Sequence, residues 1–180
     1  MDIVNIYTCT SAKGPSKKRV AFTYILEVET EKGPATLTKT EVLELATENQ
    51  AELKALSAAL RRLKKPCMLN IYTNSVYVSA GYEQKRLEKW IENDWKNAKG
   101  KPVANMEEWK ELADLLGRHT FQFFTGMKHT YASWMETETI KREKEKESCT
   151  NVLESSTRQM KSMKQQSTSE EKETTKASES

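Results

Sequence analysis

Two residues in this chain stand where chemistry is to be expected. The tetrapeptide Asn-Ile-Tyr-Thr occurs at 5–8 and again at 70–73, each time closing an apolar, strand-like run. Cys9 follows the first copy and Asn74 the second. Neighbouring strands with these ends would present a thiol and a carboxamide to one site. A thiol with its ordinary pKa of around 8.5 is neutral at pH 7, and its thiolate is a soft ligand. The carboxamide offers a carbonyl oxygen without charge. The plainer readings are a small buried cysteine and a cap for a helix opening near Ser75.

The elements that must position these groups follow from patterning. A first strand is expected at 3–8, and the Ser-, Lys-, Gly- and Pro-rich 10–19 reads as a loop. Val20–Thr30 and Ala35–Thr40 read as a β-hairpin around Glu31-Lys32-Gly33-Pro34. Thr47 with Gln50 forms a capping-box pattern. Leu53, Leu56, Leu60 and Leu63 then recur at helical spacing, with Glu52 at the edge of that stripe. Met68–Thr73 is a strand arriving after a helix, the order that favours a parallel pair. A short helix is expected over 75–81 and a tryptophan-bearing one over 87–97, with Lys85, Arg86, Lys89, Lys96, Lys99 and Lys101 in and around it. Asn105 with Glu108 suggests another cap, for a helix stopping near Gly117. A fifth strand at 121–125 and a charged helix from 134 to about 146 complete the pattern. The expected class is α/β: a mixed five-stranded sheet flanked by helices, in one domain over 1–146.

From 147 to 180 Ser, Thr, Lys, Glu and Gln dominate. Such a segment buries too little apolar surface to offset chain entropy, so the sequence predicts a disordered polar tail, with a partner-binding peptide as the alternative. The tail holds five basic and six acidic residues, against a net +3 for the whole chain, which leaves the body mildly basic. That bias is compatible with nucleic acid, as it is with an ordinary solvated surface. No apolar run reaches the roughly 18–20 residues of a membrane helix, and the start lacks a signal-peptide pattern. Cys9, Cys67 and Cys149 form neither a disulfide framework nor a zinc spacing, so a reduced, cytoplasmic setting is expected.

Several motifs, in order, resemble type 1 ribonuclease H over roughly residues 3–140. They are Ile6-Tyr7-Thr8 before the first catalytic position, Thr47-Glu48-Asn49-Gln50-Ala51-Glu52-Leu53, and Ile71-Tyr72-Thr73-Asn74-Ser75-Val76-Tyr77-Val78. The most specific is Trp95-Lys96-Asn97-Ala98-Lys99-Gly100-Lys101-Pro102-Val103-Ala104-Asn105, followed by Trp109 and Leu112, which looks like the family's basic protrusion. The resemblance implies a ribonuclease H-like fold that binds an RNA–DNA hybrid or duplex, with Asn49, Trp95, Lys96, Lys99 and Lys101 contacting it. It also implies hydrolysis of the RNA strand by four acidic residues holding two Mg2+ or Mn2+ ions.

Carried over residue by residue, the pattern gives Cys9 for the first aspartate, Glu52 for the glutamate and Asn74 for the second aspartate. Glu138, then Glu136, is the fourth carboxylate, and His129 is the loop histidine, without the usual glycines around it. Glu52, Asn74 and Glu138 are therefore the expected metal ligands. Each has a bland counterpart: Glu52 a helix-surface residue, His129 a loop residue, and Trp90, Trp95 and Trp109 packing groups. With Cys9 and Asn74 neutral, the site loses half its formal charge. The resulting expectation is nucleic-acid binding with hydrolysis lost or strongly reduced. The alternative is an active hybrid endoribonuclease with atypical ligands, drawing on Asp2 or Glu48.

Overall fold

The computed structural model describes residues 2–145, and the expectations made for the tail lie outside them. Five strands form one sheet: β1 (Ile3–Thr10), β2 (Lys18–Thr30), β3 (Gly33–Ala46), β4 (Met68–Thr73) and β5 (Thr120–Thr125). Their spatial order is β3-β2-β1-β4-β5. The hairpin pairs β1–β2 and β2–β3 are antiparallel, while β1–β4 and β4–β5 are parallel. Helices α1 (Glu48–Leu60), α2 (Val76–Glu83), α3 (Arg86–Glu92) and α4 (Met106–Leu116) intervene, and α5 covers 132–145. Met1–Glu143 form one compact unit. Of the second unit, only Lys144 and Glu145 are among the described residues.

The repeated tetrapeptides are side by side and in register: Asn5 faces Asn70, Ile6 faces Ile71 and Tyr7 faces Tyr72. Alternation then sorts each strand into two faces. Val4, Ile6, Leu69 and Ile71 bury one face against Leu53, Leu56 and Leu60 of α1 and against Trp109 and Leu112 of α4. The other face carries a stack of Tyr7, Tyr72 and Phe124, with ring centroids 4.8 and 4.9 Å apart. Beside it runs a row of amides, Asn5, Asn70 and Gln122. α5 meets this face through Met135, packed with Tyr7 and Ile25, and through Thr139, whose hydroxyl lies 2.7 Å from that of Thr23.

The capping box expected at α1 is present: Gln50 N–H donates to the Thr47 hydroxyl at 3.2 Å and Thr47 N–H to the Gln50 side-chain Oε1 at 3.3 Å. Three local expectations are corrected. β1 continues through Cys9, which pairs with Thr23, so this residue sits within the strand. The tryptophan-bearing helix stops at Glu92, because Asp94 (φ 52°) and Trp95 (φ 57°) turn left-handed. That turn aims the Trp95 carbonyl at Val103 N–H, 2.9 Å away, and closes the protrusion as a loop. Asn105 also adopts a left-handed conformation (φ 58°) and does not cap α4; its amide donates to Tyr77 Oη instead, at 3.2 Å.

Candidate functional site

The strand ends converge on α1, as their pairing requires. Thr8 and Thr73, the last residues of the two tetrapeptides, both donate their hydroxyls to one oxygen of Glu52, at 3.2 and 3.3 Å. Thr73 also accepts from Ser75 N–H at 3.0 Å, which fixes the turn carrying Asn74. Asn74 itself is exposed, and the N-cap of α2 is Ser75, so the capping reading of Asn74 does not hold. Glu52 is only 6% exposed. Burial pushes its carboxyl up to about 7, outweighing the hydroxyl bonds from Thr8 and Thr73 that favour the charged form.

A cleft of about 320 Å³ opens beside Glu52. Its lining brings together Cys9, Asn74, His129, Glu48 and Glu136, with Lys13 from the loop between β1 and β2. Burial raises the Cys9 thiol to about 11, leaving it neutral. The His129 ring lies 4.6 Å from that of Tyr7, and burial lowers its basicity. Its Nδ1 is buried and has no partner among the described residues.

The placement of the last carboxylate corrects the sequence reading. Glu136 lines the cleft and Glu138 does not. Two helical positions are about 200° apart around the axis, so when Met135 and Thr139 face the sheet only Glu136 flanks them on the cleft side. Of the suggested substitutes, Glu48 reaches the cleft and accepts Gly14 N–H at 2.6 Å. Asp2 is elsewhere, paired with Lys65 at 2.9 Å. The Thr8–Thr73 pair and Lys13 went unread. The threonines were visible as the repeated final residue, whereas Lys13 carried no periodic or motif signal.

The protrusion is built from its own side chains. The Asn97 side-chain Oδ1 accepts the backbone amides of Lys99 at 2.9 Å and Lys101 at 3.1 Å, with Gly100 at φ 72° completing the turn. Lys99 and Lys101 are exposed, while Lys96 pairs with Asp94 at 3.2 Å. Trp109 is fully buried and packs edge-on to Trp90, as expected of packing groups. Trp95 is half-buried beneath the Lys110 ammonium, 5.6 Å from its ring centroid. Asn49 is half-buried in the first turn of α1 and does not line the cleft.

A mixed sheet of this order, with a helical glutamate held between two parallel strand ends, defines a ribonuclease H-like domain. The profile of the RNase H family matches residues 1–132, so the chain belongs to that family. Ribonuclease H of Thermoanaerobacter sp. (strain X514) is 36% identical over 125 residues, covering 66% of this chain and 74% of that protein. Among solved structures, LC9-RNase H1, a type 1 RNase H with the type 2 active-site motif, superposes with a TM-score of 0.64. It is 16% identical, over 78% of this chain and 71% of that one. LC11-RNase H1 in complex with RNA/DNA hybrid gives a TM-score of 0.52 at 19% identity, over 77% and 97%.

Family membership implies divalent metal ions, and the donor set present does not fit them. Mg2+ requires hard, charged oxygen ligands. Here Cys9 of β1 supplies a neutral thiol and Asn74, just after β4, an uncharged amide, and the buried glutamate is half-protonated near pH 7. Among the described residues, no group of three His, Cys, Asp or Glu side chains is placed to hold a metal ion.

Proposed function

We propose that this domain binds RNA–DNA hybrid or duplex nucleic acid across the cleft and the basic protrusion, with hydrolysis lost or strongly reduced. The observation that carries this reading is the neutral chemistry of Cys9 in β1 and Asn74 just after β4, beside a glutamate that burial holds near pKa 7. The protrusion, by contrast, keeps Lys99 and Lys101 exposed on a turn fixed by Asn97. Supporting the hybrid as ligand, a structural neighbour of the same fold carries RNA/DNA hybrid in its own crystal. With Cys9 and Cys67 free thiols, a reduced cytoplasmic setting suits the chain.

Two measurements on one labelled hybrid test this. Fluorescence anisotropy should show binding whose log affinity falls linearly with log salt, by about 0.7–0.9 per phosphate contact. In Mg2+ or Mn2+, cleavage should be absent or slower by orders of magnitude than in the Cys9→Asp/Asn74→Asp double variant. No binding at low salt would sink the reading. Wild-type cleavage as fast as that of the double variant, and abolished by Glu52→Gln, would establish the active alternative.

A further inference from the structure

The loop joining β1 to β2 is tied down on both sides of Lys13. Ser11 N–H donates to Ala21 O at 2.9 Å and Ala21 N–H to Ser11 Oγ at 3.0 Å. Ala12, 2% exposed, packs with Val20 and Ala51. Gly14, at φ 90°, donates its amide to the Glu48 carboxylate, which reaches out from the first turn of α1. Between these anchors Lys13 is exposed and lines the cleft. Among the described residues it is the only Lys or Arg that lines the cleft, and it makes no ion pair with any of them. Its charge is felt at the Cys9 thiol, where it favours the thiolate, although burial dominates there.

A cleft lined by Glu48, Glu52 and Glu136 repels a phosphodiester unless a cation stands between them. The metal ions that would do this do not fit the donors present, whereas an ammonium on an anchored loop does. Lysine binds phosphate as a compact point charge. The anchors at Ala12 and Gly14 also leave less backbone freedom to lose on binding. We propose that Lys13 is the phosphate-binding cation of this cleft, so that the cleft holds a nucleic-acid backbone phosphate without a divalent metal. This rests on the binding function proposed above and adds how the site is neutralised.

The test is hybrid affinity measured in excess Mg2+ and in EDTA at matched ionic strength, for four proteins of equal thermal stability. Wild type should bind alike in both buffers, within about twofold. Lys13→Ala should bind about five- to tenfold more weakly in EDTA, with a salt slope smaller by roughly one phosphate contact, about 0.7–0.9. Lys13→Arg should stay close to wild type. Lys17→Ala, the same charge change in the same loop but outside the cleft lining, should lose less. Binding abolished by EDTA, an unimpaired Lys13→Ala, or an equal loss in Lys17→Ala would overturn the role of Lys13 and leave the binding function standing. A wild type that binds in neither buffer would overturn both.

Discussion

At Glu52 two influences oppose each other, and their balance sets how the protein responds to pH. The hydroxyls of Thr8 and Thr73 favour the carboxylate, while enclosure by strand ends and helix favours the acid, and enclosure is the stronger. An unfolded glutamate ionises near about 4.3, the folded one near 7. Between these values the native state keeps a proton that the unfolded chain has released. Stability from this group is therefore full below about 4.3, declines as pH rises toward 7 and stays lost above it. The span corresponds to about 3–4 kcal/mol. Glu52→Gln removes the titration and keeps a carbonyl for both threonines. At pH 8 this variant should be about 2–3 kcal/mol more stable than wild type, with Tm higher by about 5–10 °C, and the gap should close toward pH 5. Melting curves across that range check it, and a gap independent of pH would refute it. The glutamate was legible as the polar residue at the edge of a leucine stripe. Its pKa was not, because enclosure depends on strand ends more than 20 residues away on either side.

Among the elements, α2 and α4 are joined by one hydroxyl. Tyr77 Oη accepts the Trp109 indole N–H at 2.8 Å and the Asn105 amide at 3.2 Å, and donates to the Ala104 carbonyl at 3.2 Å. α2 begins just after Asn74, and Ala104 and Asn105 follow the protrusion, so Tyr77 couples the cleft's rim to the basic loop. The helices approach closely because Gly81 lacks a side chain: a Cβ there would sit 2.3 Å from the Trp109 ring. Tyr77→Phe leaves a buried indole N–H without its acceptor, which costs about 1–3 kcal/mol. Urea unfolding should show a lower midpoint with an unchanged slope. A midpoint equal to wild type would mean the indole finds another partner. Element order was readable because leucine spacing, β-branched runs and the Thr47–Gln50 cap act locally. The early end of α3 was not, since nothing near Trp95 announces a left-handed backbone whose carbonyl is met by Val103 across the protrusion.

For the whole molecule, the sheet order was foreseeable in part. Two identical tetrapeptides separated by a helix suggested a parallel pair, and Asn5–Asn70 through Tyr7–Tyr72 is the register found. What patterning left unread was the chemistry of the face away from α1, where alternation predicts only polarity.

There the amides form a chain with a sense of travel. Gln122 donates to Asn70 at 2.7 Å, Asn70 to Asn5 at 2.9 Å, and Asn5 to the Glu27 carboxylate at 2.8 Å. Every donor points the same way, from β5 through β4 and β1 to β2, so each dipole polarises the next. Burial presses Glu27 toward neutrality, yet the bonds from Tyr131, Asn5 and Tyr7 prevail and hold it below the ordinary carboxylate range. Gln122→Leu should therefore raise the pKa of Glu27, followed by carboxyl chemical shifts, though two strands lie between the two side chains. An unmoved titration would mean the links act independently. The sheet thus carries a one-way line of donors from its β5 edge to an acid on β2, one strand short of the opposite edge.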